Sequence, residues 1–165
     1  MSKYELAQVN VGRIKAPLES PVMADFVNNL DRVNAIADAA PGFVWRLQTE
    51  EGNATAFRPL ETDADLLINM SVWKDAESLH AFVYRSDHAP IMRRRREWFE
   101  KMELYMVLWW VPQGQRPTIA EAMERLEIVR ANGPTERAFT FRTLFPPPDA
   151  AAPGATDSLD DACPA

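Results

Sequence analysis

The stretch Leu66-Leu67-Ile68-Asn69-Met70-Ser71-Val72-Trp73 decides the fold, because it has strand length and carries polar residues at alternate positions. Successive side chains of a strand point to opposite faces of the sheet. One face is therefore purely apolar and is predicted to be core; it consists of Ile68, Met70 and Val72. The other face offers an amide, a hydroxyl and an indole N–H, supplied by Asn69, Ser71 and Trp73. We interpret this second face as the wall of a pocket.

Length and composition indicate one globular domain. The chain has 165 residues, of which 47% are hydrophobic and 25% charged, and its net charge is −6. An acidic chain is a poor partner for the phosphate backbone, so no nucleic acid is expected. No apolar run approaches the roughly 20 residues that a membrane-spanning helix needs, and no signal segment is recognised. By elimination, we expect a cytoplasmic protein that does not contact membranes.

Metal and disulfide chemistry are not expected. The single cysteine, Cys163, lies in the C-terminal tail, and the two histidines, His80 and His88, are eight residues apart. No HxH, HxxxH or HExxH spacing occurs, whereas a metal site needs three or four ligands. We expect His80 on the exposed side of a helix. His88 stands at a helix start, where it either caps the helix, contacts a partner or enters the pocket.

The order of predicted elements points to an α+β fold. Strands are expected over 4–14, 43–48, 66–73, 104–111 and 138–144. Helices are expected over 20–40, 75–85, 88–101 and 118–131. This pattern predicts a ferredoxin-like antiparallel sheet with helices on one face, covering residues 1–145. A second copy would cover the other face, so we expect a homodimer that forms a dimeric α/β barrel. Residues 146–165 are rich in Pro, Ala and Asp and are predicted to be a disordered tail.

Several stretches together carry a family resemblance over about residues 4–145. The stretches are Leu6-Ala7-Gln8-Val9-Asn10-Val11, Pro41-Gly42-Phe43-Val44-Trp45-Arg46, Asn69-Met70-Ser71-Val72-Trp73, Arg95-Arg96-Glu97-Trp98-Phe99, Leu108-Trp109-Trp110-Val111-Pro112, Pro117-Thr118-Ile119-Ala120-Glu121-Ala122, Gly133-Pro134-Thr135 and Ala138-Phe139-Thr140-Phe141. They resemble the domain family of unknown function numbered 3291, in the dimeric α/β-barrel superfamily. The resemblance implies the fold but no particular reaction.

A wider resemblance is to the antibiotic-biosynthesis monooxygenases, small barrels that oxidise aromatic polyketides without metal or flavin. It implies a pocket lined by an asparagine and a tryptophan four residues apart and by an arginine on the following helix, which here match Asn69, Trp73 and Arg93. The pocket tyrosine of those enzymes has no counterpart, because Leu79 stands in that region. Haem-degrading relatives imply a first-strand asparagine, matched by Asn10, and a histidine, for which His88 falls several residues short.

Each candidate also has a purely structural interpretation. Asn69 and Trp73 could hold a substrate oxyanion, or could pack the core and tie a backbone carbonyl. Arg93 and Arg96, three residues apart on a helix, could bind a carboxylate or phosphate together. The alternative for these arginines is a solvated helix face paired with nearby glutamates.

Three classes of function therefore remain open. The first is a monooxygenase-like enzyme without cofactor, acting on an aromatic or enolic substrate. The second is a module that binds a small hydrophobic ligand without turnover, and the third is a haem-binding or haem-degrading protein. The predicted catalytic residues are Asn69, Trp73 and Arg93. The predicted substrate-binding residues are Asn10, Ser71, His88 and Arg96.

Overall fold

A computed structural model of the protein describes residues 2–150. The sheet has four antiparallel strands: β1 (Tyr4–Arg13), β2 (Phe43–Arg46), β3 (Leu66–Trp73) and β4 (Met106–Pro112). Their order across the sheet is β2-β3-β1-β4, which is the ferredoxin-like arrangement. The predicted α+β fold is confirmed, and β3 has the bounds that the sequence predicted.

Five α-helices connect or follow the strands within the described residues. They are α1 (Ala24–Ala39), α2 (Ala76–Arg85), α3 (Ala89–Arg93), α4 (Arg95–Trp98) and α5 (Ile119–Asn132), with a 3₁₀ turn (Pro21–Met23) before α1. Two of them start with side-chain caps. Asp75 accepts from the Ser78 backbone N–H at 2.8 Å, and Thr118 Oγ1 accepts from the Glu121 N–H at 3.1 Å.

One face of the sheet is apolar and buried. Its residues alternate along three neighbouring strands with those of the opposite face and are almost inaccessible; they are Ala7, Val9, Val11, Ile68, Met70, Val72, Val107, Trp109 and Val111. Helix α5 covers them with Ala122, Leu126 and Val129, all buried in the same cluster. We expected a second copy of the chain to cover this face. In the structure, α5 of the same chain covers it.

The opposite face carries polar side chains at its centre and lies under α1–α4. Helices α2, α3 and α4 pack near its two ends, around Trp73 and around Trp98. Helix α1 does not seal the space between them. Only Ala37 of its residues is buried, and a cavity remains between this helix and the sheet.

Two predicted elements differ in the structure. The helix expected over 88–101 is broken at Arg94, whose backbone (φ −87°, ψ 2°) leaves the helical region between α3 and α4. The strand expected over 138–144 is wrong as a regular element. Phe139 exchanges two backbone hydrogen bonds with Leu108, and the chain then turns, with Thr140 bridged to Thr143. A single paired position is therefore all that extends the sheet beyond β4.

The C-terminal part of the described chain contacts the N-terminus. Asp149 accepts hydrogen bonds from the Ser2 hydroxyl at 2.7 Å and from the Lys3 backbone N–H at 2.6 Å. The predicted disordered tail lies mostly beyond this point, and residues 151–165 are outside the described residues. Within residues 2–150, no helix combines the length and the apolar character needed to cross a membrane.

Candidate functional site

A hydrogen-bonded network of four polar side chains forms the floor of the cavity. The pairing of β1 with β3 sets Gln8 opposite Ser71 and Asn10 opposite Asn69. Gln8 Nε2 donates to Asn69 Oδ1 at 2.9 Å and to Ser71 Oγ at 2.8 Å. Asn10 Nδ2 donates to Gln8 Oε1 at 3.2 Å and to Asn69 Oδ1 at 3.3 Å. Side chains of neighbouring strands therefore hold one another in place.

The network fixes how Asn69 faces the cavity. Its Oδ1 accepts from two amides, so its NH₂ group points away from them. Asn69 is exposed although its neighbours along the strand are buried, and it lines the cavity. No acceptor for these N–H groups lies within bonding distance in residues 2–150. A preoriented donor pair thus faces an interior space.

The Trp73 side chain supports the polar network and does not offer its indole N–H to a ligand. The side chain is fully buried, and its Nε1–H donates to Ser71 Oγ at 2.8 Å. The indole N–H that the sequence suggested for a ligand is therefore already used. Its hydrogen bond orients Ser71, which in turn holds Gln8.

Three rings stack along one wall of the cavity. Phe82 lies on Trp73 with ring centroids 5.0 Å apart, and His88 lies on Phe82 with centroids 4.6 Å apart. Burial lowers the pKa of His88 to about 4, and a hydrogen bond to the Val83 backbone offsets only part of that effect. His88 is therefore a neutral imidazole near pH 7. Its Nδ1 is buried without a hydrogen-bond partner in the described residues.

The arginine that reaches the cavity is Arg95. Its Nη2 donates to the Val11 carbonyl at 2.7 Å, and its guanidinium lies 4.1 Å from the ring centroid of Tyr105. This approach requires Gly12, because a Cβ there would come within 3.0 Å of Arg95 Nη2 and 2.5 Å of Phe99. The absence of a side chain at Gly12 therefore lets Arg95 and Phe99 lie close to β1.

A second arginine, Arg46, closes the cavity at the β2 edge. It is buried, and its Nε and Nη2 donate to the two carboxylate oxygens of Asp38 at 2.7 and 3.1 Å. Its Nη1 donates to the Gly52 carbonyl at 2.6 Å. The pair joins the C-terminal end of α1 to the sheet and to the loop before β3.

The cavity is partly open to solvent and has a volume of about 170 Å³. Its walls are mainly apolar and aromatic side chains. The polar lining residues are carboxamides, hydroxyls, His88 and the two arginines, and no aspartate or glutamate of residues 2–150 lines it. An apolar space with a few fixed polar groups is the usual form of a small-molecule site.

The structure places five of the seven predicted site residues around this cavity: Asn10, Asn69, Ser71, Trp73 and His88. It does not bring Arg93 and Arg96 there, because both are exposed and lie outside the lining. His80, expected to be exposed, is partly buried between Tyr84 and Phe141.

Sequence reasoning missed Gln8, Arg46 and Arg95 as site residues. Gln8 had a usable signal, since it alternates with Asn10 on β1 and must share its face. Arg46 ends a short strand next to β3, but its partner Asp38 belongs to a helix. Arg95 stood in a run of four arginines whose phase changed when the helix broke at Arg94.

Together, the strand order and the helices define a small ferredoxin-like α+β protein with a partly polar cavity between α1 and the sheet. The chain belongs to the family described as Domain of unknown function (DUF3291), whose model matches residues 5–155. In the described part of the chain, no three His, Cys, Asp or Glu residues are grouped to hold a metal ion.

Solved structures similar to this chain have low sequence identity. SnoaB, a cofactor-independent oxygenase from Streptomyces nogalater, is 19% identical with a TM-score of 0.44, covering 70% of this chain and 97% of SnoaB. PA3566 from Pseudomonas aeruginosa is 14% identical with a TM-score of 0.45, covering 70% and 98%. NE2512 from Nitrosomonas europaea, of unknown function, is 14% identical with a TM-score of 0.43, covering 70% and 95%. No curated protein matches this chain.

Proposed function

We propose that the protein binds a small aromatic or enolic molecule in the cavity between α1 and the polar face of the sheet. The observation that carries the proposal is the donor pair of Asn69. Two hydrogen bonds fix the amide, and its N–H groups face an apolar space. A donor that is held in place and has no protein acceptor offers a ligand oxygen a preorganised partner, so less ordering is needed when the ligand binds.

The ring stack supports the aromatic part of the proposal. Phe82 and His88 line the cavity and are nearly parallel, with 21° between their planes. Flat ligands gain area and offset stacking against such a wall. Since His88 is neutral near pH 7, the wall does not add a charge that the ligand would have to match.

A thermal-shift screen of aromatic and enolic compounds tests this binding. Val33 lines the cavity from α1, and Val33→Trp fills part of the space. Hits on the wild type should lose their shift in this variant. Val27, exposed on the same helix and outside the lining, provides the control Val27→Trp, which should keep the shift. If no compound stabilises the wild type, or if both variants behave alike, the binding proposal is wrong.

Turnover is the second candidate, and the pairing of Asn69 with His88 in one cavity favours it. The Asn69 amide can stabilise the oxyanion that forms when an acidic C–H or O–H group loses its proton. Burial disfavours the His88 cation, so His88 accepts that proton only when the oxyanion lies beside it as a counter-charge. The carbanion form of a substrate methylene would then react with O₂ to give a carbonyl and water. In this scheme the protein positions the substrate and excludes solvent, and no cofactor takes part.

Oxygen uptake measured with phenols and enols that carry an acidic methylene group tests turnover. Asn69→Ala should lower kcat by on the order of 10²-fold, the typical effect of one oxyanion donor. Asn132→Ala removes an exposed amide at the end of α5 and should leave the rate unchanged. If ligands bind but no oxygen is consumed, turnover is excluded for those compounds and the protein acts on them as a binding module.

The cavity does not fit haem. A cavity of about 150 Å³ is known to hold one benzene ring. The volume of about 170 Å³ is close to that value, whereas a porphyrin contains four linked rings. His88, the proposed ligand, is stacked on Phe82 within this space. We therefore derive no role for haem.

A homodimer stays a prediction, but its interface must differ from the one expected. Leu126 and Val129 of α5 occupy the apolar face of the sheet. A second copy could not pack there without displacing this helix. Light scattering on the purified protein measures the state directly, and a monomer mass would contradict the dimer.

A further inference from the structure

The size of the cavity limits the ligand more narrowly than the fold does. Its volume of about 170 Å³ is well below the roughly 300–1,000 Å³ of common drug-sized sites. It is close to the size that one benzene ring fills. The space between α1 and the sheet therefore suits one ring with small substituents.

The charge of the lining limits the ligand in a second way. The chain carries a net charge of −6, but no carboxylate of the described residues lines the cavity. The charged side chains that do are Arg46 and Arg95. Arg46 is neutralised by Asp38, which contacts it from the end of α1. A cationic ligand would meet no opposite charge in this lining, whereas an anion would meet hydrogen-bond donors.

The position of an acidic oxygen is indicated by the network on the floor. Asn69 and Asn53 are the lining amides whose oxygen accepts two hydrogen bonds and whose N–H groups remain available, and Asn69 is the one in the network on the floor. By contrast, Arg46 gives three hydrogen bonds to Asp38 and Gly52. An anionic or enolic oxygen that lies against the floor of the cavity therefore finds its donor at Asn69 on β3.

We infer that the ligand is a monocyclic phenol or cyclic enol with one acidic oxygen on Asn69 and its ring against the Phe82–His88 stack. This inference rests on the proposed function, since it names the ligand class of the same cavity. The inference excludes fused polycyclic compounds as ligands of this cavity.

Calorimetric titration of the wild type with three probes tests the inference. The probes are 4-nitrophenol, benzylamine and anthrone, which differ in charge and ring number. 4-Nitrophenol should bind at least about tenfold more tightly than benzylamine, as expected for one hydrogen bond to a charged group. Anthrone, with three fused rings, should show no binding. Asn69→Ala should weaken 4-nitrophenol about tenfold, and Asn132→Ala should not change it.

Each other outcome has a distinct meaning. Anthrone that binds as well as 4-nitrophenol overturns the one-ring limit but leaves the proposed function standing. Benzylamine that binds more tightly overturns the anionic character, with the same consequence. If no aromatic or enolic compound of any ring number or charge binds, the inference and the proposed function both fail. The wild-type series does not depend on how well any variant folds.

Discussion

The two faces of one sheet are built on different physical principles. On the apolar face, three strands alternate Val, Ile, Met and Trp under α5, and the side chains are almost fully buried. On the polar face, four hydrogen-bonded side chains sit beneath α1, and a cavity remains. The same strands supply both faces, because side chains alternate. The apolar face stabilises the fold, and the polar face retains space and unused donors.

This difference predicts that equal substitutions have unequal effects on the two faces. The largest contrast should come from leucine deletions. Leu126→Ala removes a fully buried side chain from the apolar cluster and should cost about 2–5 kcal/mol of unfolding free energy. Leu30→Ala, in the half-buried wall of the cavity, should cost clearly less because space already exists there. Urea denaturation measures both, and equal losses would contradict the comparison.

Acidification should destabilise the protein through the polar face. The folded-state pKa of His88 is about 4, below its ordinary value of 6.5. The unfolded chain therefore binds the proton first, so stability is retained above about pH 6.5 and falls as the pH drops toward 4. The loss should reach roughly 3 kcal/mol. Denaturation curves of the wild type and His88→Gln over this range should diverge by that amount, and parallel curves would rule out the buried neutral imidazole.

The Ser71–Trp73 hydrogen bond should contribute at an intermediate level. Ser71→Ala leaves the buried Trp73 N–H without its acceptor and should cost about 1–3 kcal/mol. Trp73→Phe removes the donor at the same time as some packing. In a double-mutant cycle the two changes should couple by about 1 kcal/mol. Additive effects would mean that Trp73 does not support Ser71.

Removal of Asn69 should have the smallest effect on stability. Gln8 keeps Ser71 as an acceptor and Asn10 keeps Gln8, so no buried donor is left without a partner. Asn69→Ala should therefore change the unfolding free energy by less than about 1 kcal/mol. A larger loss by thermal or urea denaturation would make Asn69 a structural residue rather than a ligand-binding one.

Local patterns allowed prediction of much of the sheet and part of the site. The alternation in β3 predicted both faces. Asn10 was proposed from a family resemblance, and its pairing with Asn69 is seen only in the structure. The arginines at 93–96 were harder to predict, because the direction of each side chain depends on where the helix breaks. The break at Arg94 separates α3 from α4 and changes which arginine faces the cavity. The place of α5 was also not predictable. Its apolar positions were evident, but nothing local indicated which sheet face it would cover.

We propose the Asn69 side-chain amide as the ligand donor on the polar face. The most direct test follows side-chain amide resonances by ¹⁵N NMR while 4-nitrophenol is added. We expect the Asn69 NH₂ signals to shift and saturate with the ligand, while those of Asn132 on α5 stay fixed. Ligand binding with unchanged Asn69 signals would contradict it.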